Sequence, residues 1–332
     1  MHIPYKAFEV TEQANLNYST AVVNKFTEEL QSGEVLIKVH YSSINYKDAL
    51  SASGNKGVTK NYPHIPGIDA AGIIEESSDP SFNAGDQVIV TGYDLGMNTS
   101  GGFAEYIRVP SSWVVHLPEN LSLKESMIFG TAGFTAALSV YQLQVHHINP
   151  KSGPIALSGS TGGVGSIALA LLVHLGYQVS AITGKEVLTD TLLKQGATEV
   201  IKRNTLEEHN GKPLLKPKYA GVVDTVGGEI LANLIKSLNY NGVATCCGLV
   251  SSVDLPLTVL PFILKGISLI GIDSVKCDME LRKKIWTLLA TKWKIENLFQ
   301  LSKECTLETL DENLMRLLKG ENVGRIVVKI KK

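Results

Sequence analysis

The run Thr161-Gly162-Gly163-Val164-Gly165 is the part of the chain whose residue types point most directly to chemistry. The apolar stretch PIALSGS precedes it, and the helix-like SIALALLVHLG follows, with Ala168, Leu171, Leu172 and Leu175 on one face. A strand that feeds a glycine turn, which then opens a helix, lets the backbone approach a pyrophosphate whose charge rests on the helix N-terminus. A glycine cluster alone equally describes a tight strand–helix turn without a ligand; the flanking strand and helix favour the phosphate reading. About 20 residues further on, a fold that prefers NAD carries an Asp or Glu for the ribose 2′-hydroxyl. Here that strand, YQVSAIT, runs into Thr183-Gly184-Lys185, with no carboxylate before Glu186. A small residue, a glycine and a lysine offer room, a backbone donor and a positive charge to a 2′-phosphate. Arg203, ending the next strand-like run EVIKR, could add a second charge at the same edge. Lys185 by itself also reads as a solvated turn lysine; with the acid missing, the set favours NADPH.

The elements that must position these residues fall into two groups. The first ~120 residues read as mostly β, with VLIKVHYSSI, AGIIEE and DQVIVTGY separated by Gly and Pro. That texture suggests a small irregular barrel with functional loops. From about Ser122 the period becomes helical through LKESMIFGTAGFTAALSVYQL. Strand-like runs then alternate with helical ones: PIALSGS, YQVSAIT, EVIKR, GVVDTVG, GVATCCG and SLIGID. This alternation predicts a parallel, doubly wound sheet. The closing RIVVKIKK is strand-like with nothing left to pair nearby, and is expected to return to the first domain. The expected division is 1–121 with 296–332 as one domain and 122–295 as the other, an α/β chain overall.

Composition narrows the function classes. With 332 residues, 44% hydrophobic and 19% charged, there is material for two packed cores. The 31 basic and 32 acidic residues leave a net charge of −1, without the basic excess of a nucleic-acid binder. The start MHIPYKAFEV shows no secretory pattern, and Leu255 to Ile272, broken by Pro256, Pro261 and Lys265, reads as buried strand and helix rather than a membrane span. A cytoplasmic setting is expected. Cys246, Cys247, Cys277 and Cys305 fit neither a disulfide framework nor a paired metal site. No nucleophile elbow and no Walker A pattern is present. His146-His147 reads as a surface loop.

Other motifs appear in order along the chain: Asn45-Tyr46-Lys47-Asp48, Pro66-Gly67-Ile68-Asp69, Gly85-Asp86, Gly101-Gly102-Phe103-Ala104-Glu105-Tyr106 and Gly130-Thr131-Ala132-Gly133-Phe134-Thr135-Ala136. Pro261-Phe262-Ile263-Leu264, Gly271-Ile272-Asp273-Ser274 and Gly324-Arg325 complete the set. Together they resemble the zinc-free medium-chain dehydrogenase/reductase superfamily, and within it the acrylyl-CoA reductase and quinone oxidoreductase family, over nearly the whole chain. The resemblance implies a GroES-like β-barrel domain completed by the C-terminal tail, a Rossmann domain, an active site in the cleft between them, and a homodimer. Carried over by position, NADPH contacts are Tyr46, Thr161, Gly162, Gly163, Val164, Gly165, Thr183, Gly184, Lys185, Arg203, Leu249, Ile263 and Ser274, with Thr131 at the nicotinamide end or simply packing its helix. The family often has an Asn where this chain has Gly320, so that contact is not carried over. Zinc-dependent relatives have Gly-His-Glu at Pro66-Gly67-Ile68-Asp69 and clustered cysteines in the barrel, whereas this chain has no cysteine before Cys246. Without thiolates, no zinc site of that type forms.

The resemblance therefore implies hydride transfer without a metal to an activated C=C bond, such as that of acrylyl-CoA. Asn45 and Tyr46 are the candidates to stand over nicotinamide and substrate; Asp69 is either a third catalytic residue or a structural turn aspartate. Two readings compete: a quinone reductase on the same NADPH site, and a non-catalytic NADPH-binding sensor, with Cys246-Cys247 as a redox variant of the latter. Lys47, Lys56 and Lys60 could serve the phosphates of CoA or be ordinary solvated lysines.

Overall fold

The computed structural model describes residues 2–207 and 211–330. It divides into two compact units: the chain up to Thr131 with Val275–Ala290 and the residues from Asn297 on, and Ala132–Ser274 with Thr291–Glu296.

In the first unit, the strand Val35–Ser43 buries Val35, Leu36, Ile37 and Val39, too many for simple alternation, because it is central to a seven-stranded sheet. It pairs antiparallel with Asp69–Ser77, Tyr106–Val109 and Arg325–Lys329. Asp69–Ser77 continues to Gln87–Thr91 and then to Val114–His116. The apolar faces meet in one core that includes Leu36, Ile74, Val88, Phe103, Ile107 and Val328, joined by Leu310 and Leu314 from the helix Leu310–Leu318. A hairpin, Pro4–Glu12 with Tyr18–Phe26, adds a separate two-stranded sheet with no strong sequence signal, since Tyr18–Phe26 is largely exposed.

The tail does reach this sheet, but it also brings its own partner. Arg325–Lys329 pairs parallel with Ser302–Thr306, and the helix Leu310–Leu318 makes the crossover that a parallel pair requires. The helix Met279–Ala290 belongs with this unit through Arg282. That buried guanidinium donates to Thr91 O (2.9 Å), Thr91 Oγ1 (3.0 Å) and Val275 O (3.1 Å), and lies 4.7 Å from the centre of the Tyr93 ring.

The second unit is a six-stranded sheet whose order, counted along the chain, is 3-2-1-4-5-6. Its strands are Ile155–Leu157, Val179–Thr183, Glu199–Lys202, Tyr219–Asp224, Leu238–Cys246 and Ser268–Gly271, all parallel. Ile155–Leu157 and Tyr219–Asp224 lie side by side while the chain runs to opposite edges from them, which makes their carboxyl ends the switch point where such sheets bind ligands. The stretch from Leu255 to Ile272 departs from expectation. It does hold the helix Leu260–Lys265 and the strand Ser268–Gly271, but Val259, Ile263 and Leu264 are exposed because the short helix lies on the unit's surface. Among the described residues, no helix is long and apolar enough to cross a membrane.

Candidate active site

The glycine turn is a backbone cradle. Gly159 adopts φ +63, and a Cβ there would lie 2.2 Å from Thr225 Oγ1. A Cβ on Gly165 would lie 2.1 Å from Gly159 O, so the helix Gly163–His174 can start this close to the strand only with glycine. Gly162, with its extended backbone, is the N-cap, and its own N–H donates to Gly159 O at 2.9 Å. The opening therefore presents helix N–H groups with no side chain in the way, a good fit to a dinucleotide pyrophosphate. Beneath it lies a buried brace: Ser158 Oγ donates to Asp224 Oδ1 at 2.6 Å, and the N–H groups of Val226 and Gly227 donate to Asp224 Oδ2 at 3.2 and 2.8 Å. Sequence reasoning missed Gly159, Ser158 and Asp224. Gly159 stands three residues before Gly162, a visible signal, but nothing local links Ser158 to Asp224.

Thr183 ends its parallel strand, and Thr161, Gly184, Lys185, Arg203, Leu249 and Ser274 follow the carboxyl ends of the parallel strands, so one sheet edge collects them. Thr183 is buried; its Oγ1 accepts the Lys185 N–H at 3.0 Å and lies 3.5 Å from Thr161 Oγ1. Arg203 lies over Gly184, where a Cβ would come within 3.1 Å of Arg203 Cζ. Leu249 is exposed and Ser274 buried. Ile263 does not follow a strand end; it sits exposed on the helix Leu260–Lys265. Burial pushes the Cys247 thiol up to about 12, with the Asp224 carboxylate adding to it, and raises Cys246 likewise, so neither is poised as a thiolate.

In the first unit, Asn45, Thr131 and Asp69 converge. Asp69 is fully buried and surrounded by donors. Its Oδ2 accepts from Ser43 Oγ (2.6 Å), Asn45 Nδ2 (2.7 Å) and Thr131 N (2.9 Å), and its Oδ1 from Thr131 Oγ1 (2.6 Å). Arg325, buried to the same degree, sits 3.9 Å from Asp69 Oδ2 and donates to Ser43 Oγ, Ile44 O and Ile128 O at 2.8, 3.0 and 2.9 Å. Its Nη1 also reaches Asn45 Oδ1 at 3.4 Å, and Asn45 Nδ2 also donates to Ser43 O at 3.3 Å. Both amide protons of Asn45 are therefore committed. Gly130 (φ +50) breaks the helix Leu123–Val145, and a Cβ there would strike Asp69 Oδ2 and Ser43 Oγ at 2.4 Å.

A second carboxyl shares this cluster. Asp48 Oδ2 accepts the Asn45 N–H (2.7 Å) and its Oδ1 the Ile68 N–H (2.8 Å), which fixes the first turn of the helix Tyr46–Ala52 against the Pro66-Gly67-Ile68-Asp69 segment. Burial, and then the charge of Asp69, push the Asp48 carboxyl up to about 7. Tyr46 stands 48% exposed at the start of the same helix, and its hydroxyl makes no hydrogen bond among the described residues. Lys56 is engaged: it pairs with Glu12 at 2.7 Å and lies 4.7 Å from the centre of the Tyr62 ring. Among the described residues, no three His, Cys, Asp or Glu side chains gather as a metal ion would need.

Residues 31–119 match the alcohol dehydrogenase GroES-like domain family, and residues 163–291 match the family described as zinc-binding dehydrogenase. YhfP of Bacillus subtilis, named for quinone oxidoreduction, is 43% identical over 98% of this chain and 99% of its own. Its crystal structure, with NAD bound, superposes with a TM-score of 0.95, covering 98% of this chain and 99% of that one. The acrylyl-CoA reductase AcuI of Ruegeria pomeroyi is 38% identical over 98% of this chain and 99% of its own. The yhdH oxidoreductase of Salmonella enterica, solved in complex with NADP, is 40% identical, with a TM-score of 0.95 over 98% of this chain and 100% of that one. With the strand order, the glycine cradle and the ordered motifs all present, the chain belongs to the medium-chain dehydrogenase/reductase superfamily, in its zinc-free branch with YhfP and the acrylyl-CoA reductases.

Proposed function

We propose that this chain is an NADPH-dependent reductase of activated C=C bonds, acting on acrylyl-CoA or a similar short enoyl thioester without a metal. The observation that carries the reading is a phosphate cradle whose second strand ends in Thr183-Gly184 with Arg203 against it, where a carboxylate would otherwise take the ribose hydroxyl. Gly162 to Gly165 would hold the pyrophosphate; Thr183, Gly184, Lys185 and Arg203 would hold the 2′-phosphate; Leu249, Ile263 and Ser274 complete the assigned contacts. When bound, the reduced cofactor would supply a hydride to the β-carbon of the alkene, and a proton from solvent to the α-carbon would complete the reduction.

The chain's own residues then have distinct tasks. Tyr46, with a hydroxyl free to donate, stabilises the thioester oxygen as negative charge collects there. Asn45 is a positioning residue, since its amide is fully engaged by Asp69, Ser43 and Arg325. Asp69 also holds Thr131, whose hydroxyl, having donated its proton to Asp69, keeps only acceptor capacity for the nicotinamide amide. Asp69 is thus assigned to positioning rather than to proton transfer. A reducing, cytoplasmic setting belongs to the same reading, with the four cysteines in thiol form. A homodimer belongs to the same reading, supported by the outer edge of strand Ser268–Gly271, which pairs with no further strand among the described residues.

The test is oxidation of NADPH, followed by its absorbance, with acrylyl-CoA and a small quinone in parallel. Fast transfer to the thioester and slow transfer to the quinone is expected; the reverse ratio would make the chain a quinone reductase, as the name of YhfP suggests for that relative. NADPH binding without turnover on either would favour the sensor. Tyr46→Phe should lower turnover well beyond any loss of NADPH affinity, and unchanged kinetics would remove Tyr46 from the mechanism.

A further inference from the structure

Thr183, Gly184, Glu186, Arg203, Asn204 and Glu207 line one pocket at the end of the second strand. Arg203, which lines it, and the neighbouring Lys202 do not stand alone. Arg203 Nε pairs with Glu207 Oε1 at 2.8 Å, and Lys202 Nζ with Glu186 Oε2 at 2.7 Å. The side chains of Arg203 and Glu207 are 46% and 42% exposed, so their pair adds little to folding. What the pair does is engage Nε on the edge of the guanidinium that lies against Gly184, at the turn assigned above to the 2′-phosphate.

We propose that Glu207 is a specificity-determining residue that competes with the 2′-phosphate for Arg203 and so lets the pocket accept NADH as well as NADPH. The inference rests on the reading of the glycine turn as a dinucleotide cradle. A phosphate entering the pocket must compete with Glu207 for the Nε side of Arg203 and lie close to the Glu186 carboxylate as well. A ribose 2′-hydroxyl meets no such opposition, because a hydroxyl can donate to the Glu207 carboxylate. Glu207 thereby provides the acid that is missing from the end of the second strand, delivered from the segment after the third strand.

The experiment is calorimetric titration, without substrate, of the wild type, Glu207→Gln and Arg203→Gln/Glu207→Gln with NADPH, NADH, 2′,5′-ADP and 5′-AMP. Glu207→Gln should tighten NADPH and 2′,5′-ADP by about fivefold, the factor expected from removing one unit charge at close range in water. It should leave NADH and 5′-AMP unchanged or weaker, and the double variant should lose the gain. A Glu207→Gln variant with an unchanged or lower NADPH-to-NADH affinity ratio would overturn the proposal, as would a gain that survives removal of Arg203. Wild type that binds NADH but not NADPH, with Glu207→Gln gaining NADPH, would support the competition and refute the NADPH preference. Wild type that binds neither dinucleotide would refute the cradle and the inference together.

Discussion

Asp48, Asp69 and Arg325 place two carboxyl groups and one guanidinium in the same buried cluster, so it is neutral only when one carboxyl is protonated. Asp69 holds more of the side-chain donors, including Ser43, Asn45 and Thr131, and faces Arg325; Asp48 is held chiefly by the backbone N–H groups of Asn45 and Ile68. Asp48 is therefore the carboxyl that keeps its proton, and burial with the Asp69 charge raises it from 3.8 to about 7. A carboxyl raised in the folded state binds a proton there that the unfolded chain has already lost, so stability falls as pH rises between the two values and levels off above the upper one. At about 1.4 kcal/mol per tenfold change in proton affinity, the interval from pH 5 to 8 should remove about 2 to 3 kcal/mol of stability through this group. The assay is urea unfolding followed by tryptophan fluorescence, as two of the three tryptophans, Trp113 and Trp286, lie in the first unit and Trp293 in the second. Wild type would be compared with Asp48→Asn at both pH values. The wild-type advantage over Asp48→Asn should shrink by that amount between pH 5 and 8. An advantage that stays level or grows would mean that Asp48 is ionised throughout, and that the charge balance described here is wrong.

Two further outcomes follow from the same geometry. Arg325→Leu should destabilise the first unit by about 3 to 5 kcal/mol, because the buried Asp69 carboxylate loses the guanidinium it faces; a loss below about 1 kcal/mol by urea unfolding would contradict that role. Gly165→Val should abolish dinucleotide binding in calorimetry while leaving the first unit's unfolding transition in place, since even a Cβ would lie 2.1 Å from Gly159 O. Retained affinity would show that the cradle does not carry the pyrophosphate.

Much of this was readable along the chain where the signal is local. The strand–glycine–helix order from Ile155 to His174 marks the cradle because backbone approach and helix start depend on neighbouring residues. The alternation of apolar strands with helices likewise predicts the parallel sheet. Thr183-Gly184-Lys185 could be placed at its edge because every parallel strand delivers its carboxyl end to the same side.

Charge pairing was decided elsewhere. Ser158 and Asp224 are 66 residues apart, and Arg325 and Ser43 are 282 apart. Only the sheet registers bring them within hydrogen-bond distance. Asp69 reads in the sequence either as a catalytic residue or as a structural turn residue; strand pairing buries it among Ser43, Asn45 and Thr131, which supports the positioning role proposed above. Arg203 read as a free cation until folding set Glu207 against it. The chain by itself determines which backbone can approach a phosphate, a property of consecutive residues. Which charges remain available to a ligand depends on burial and on partners far along the chain, and only the tertiary structure determines that.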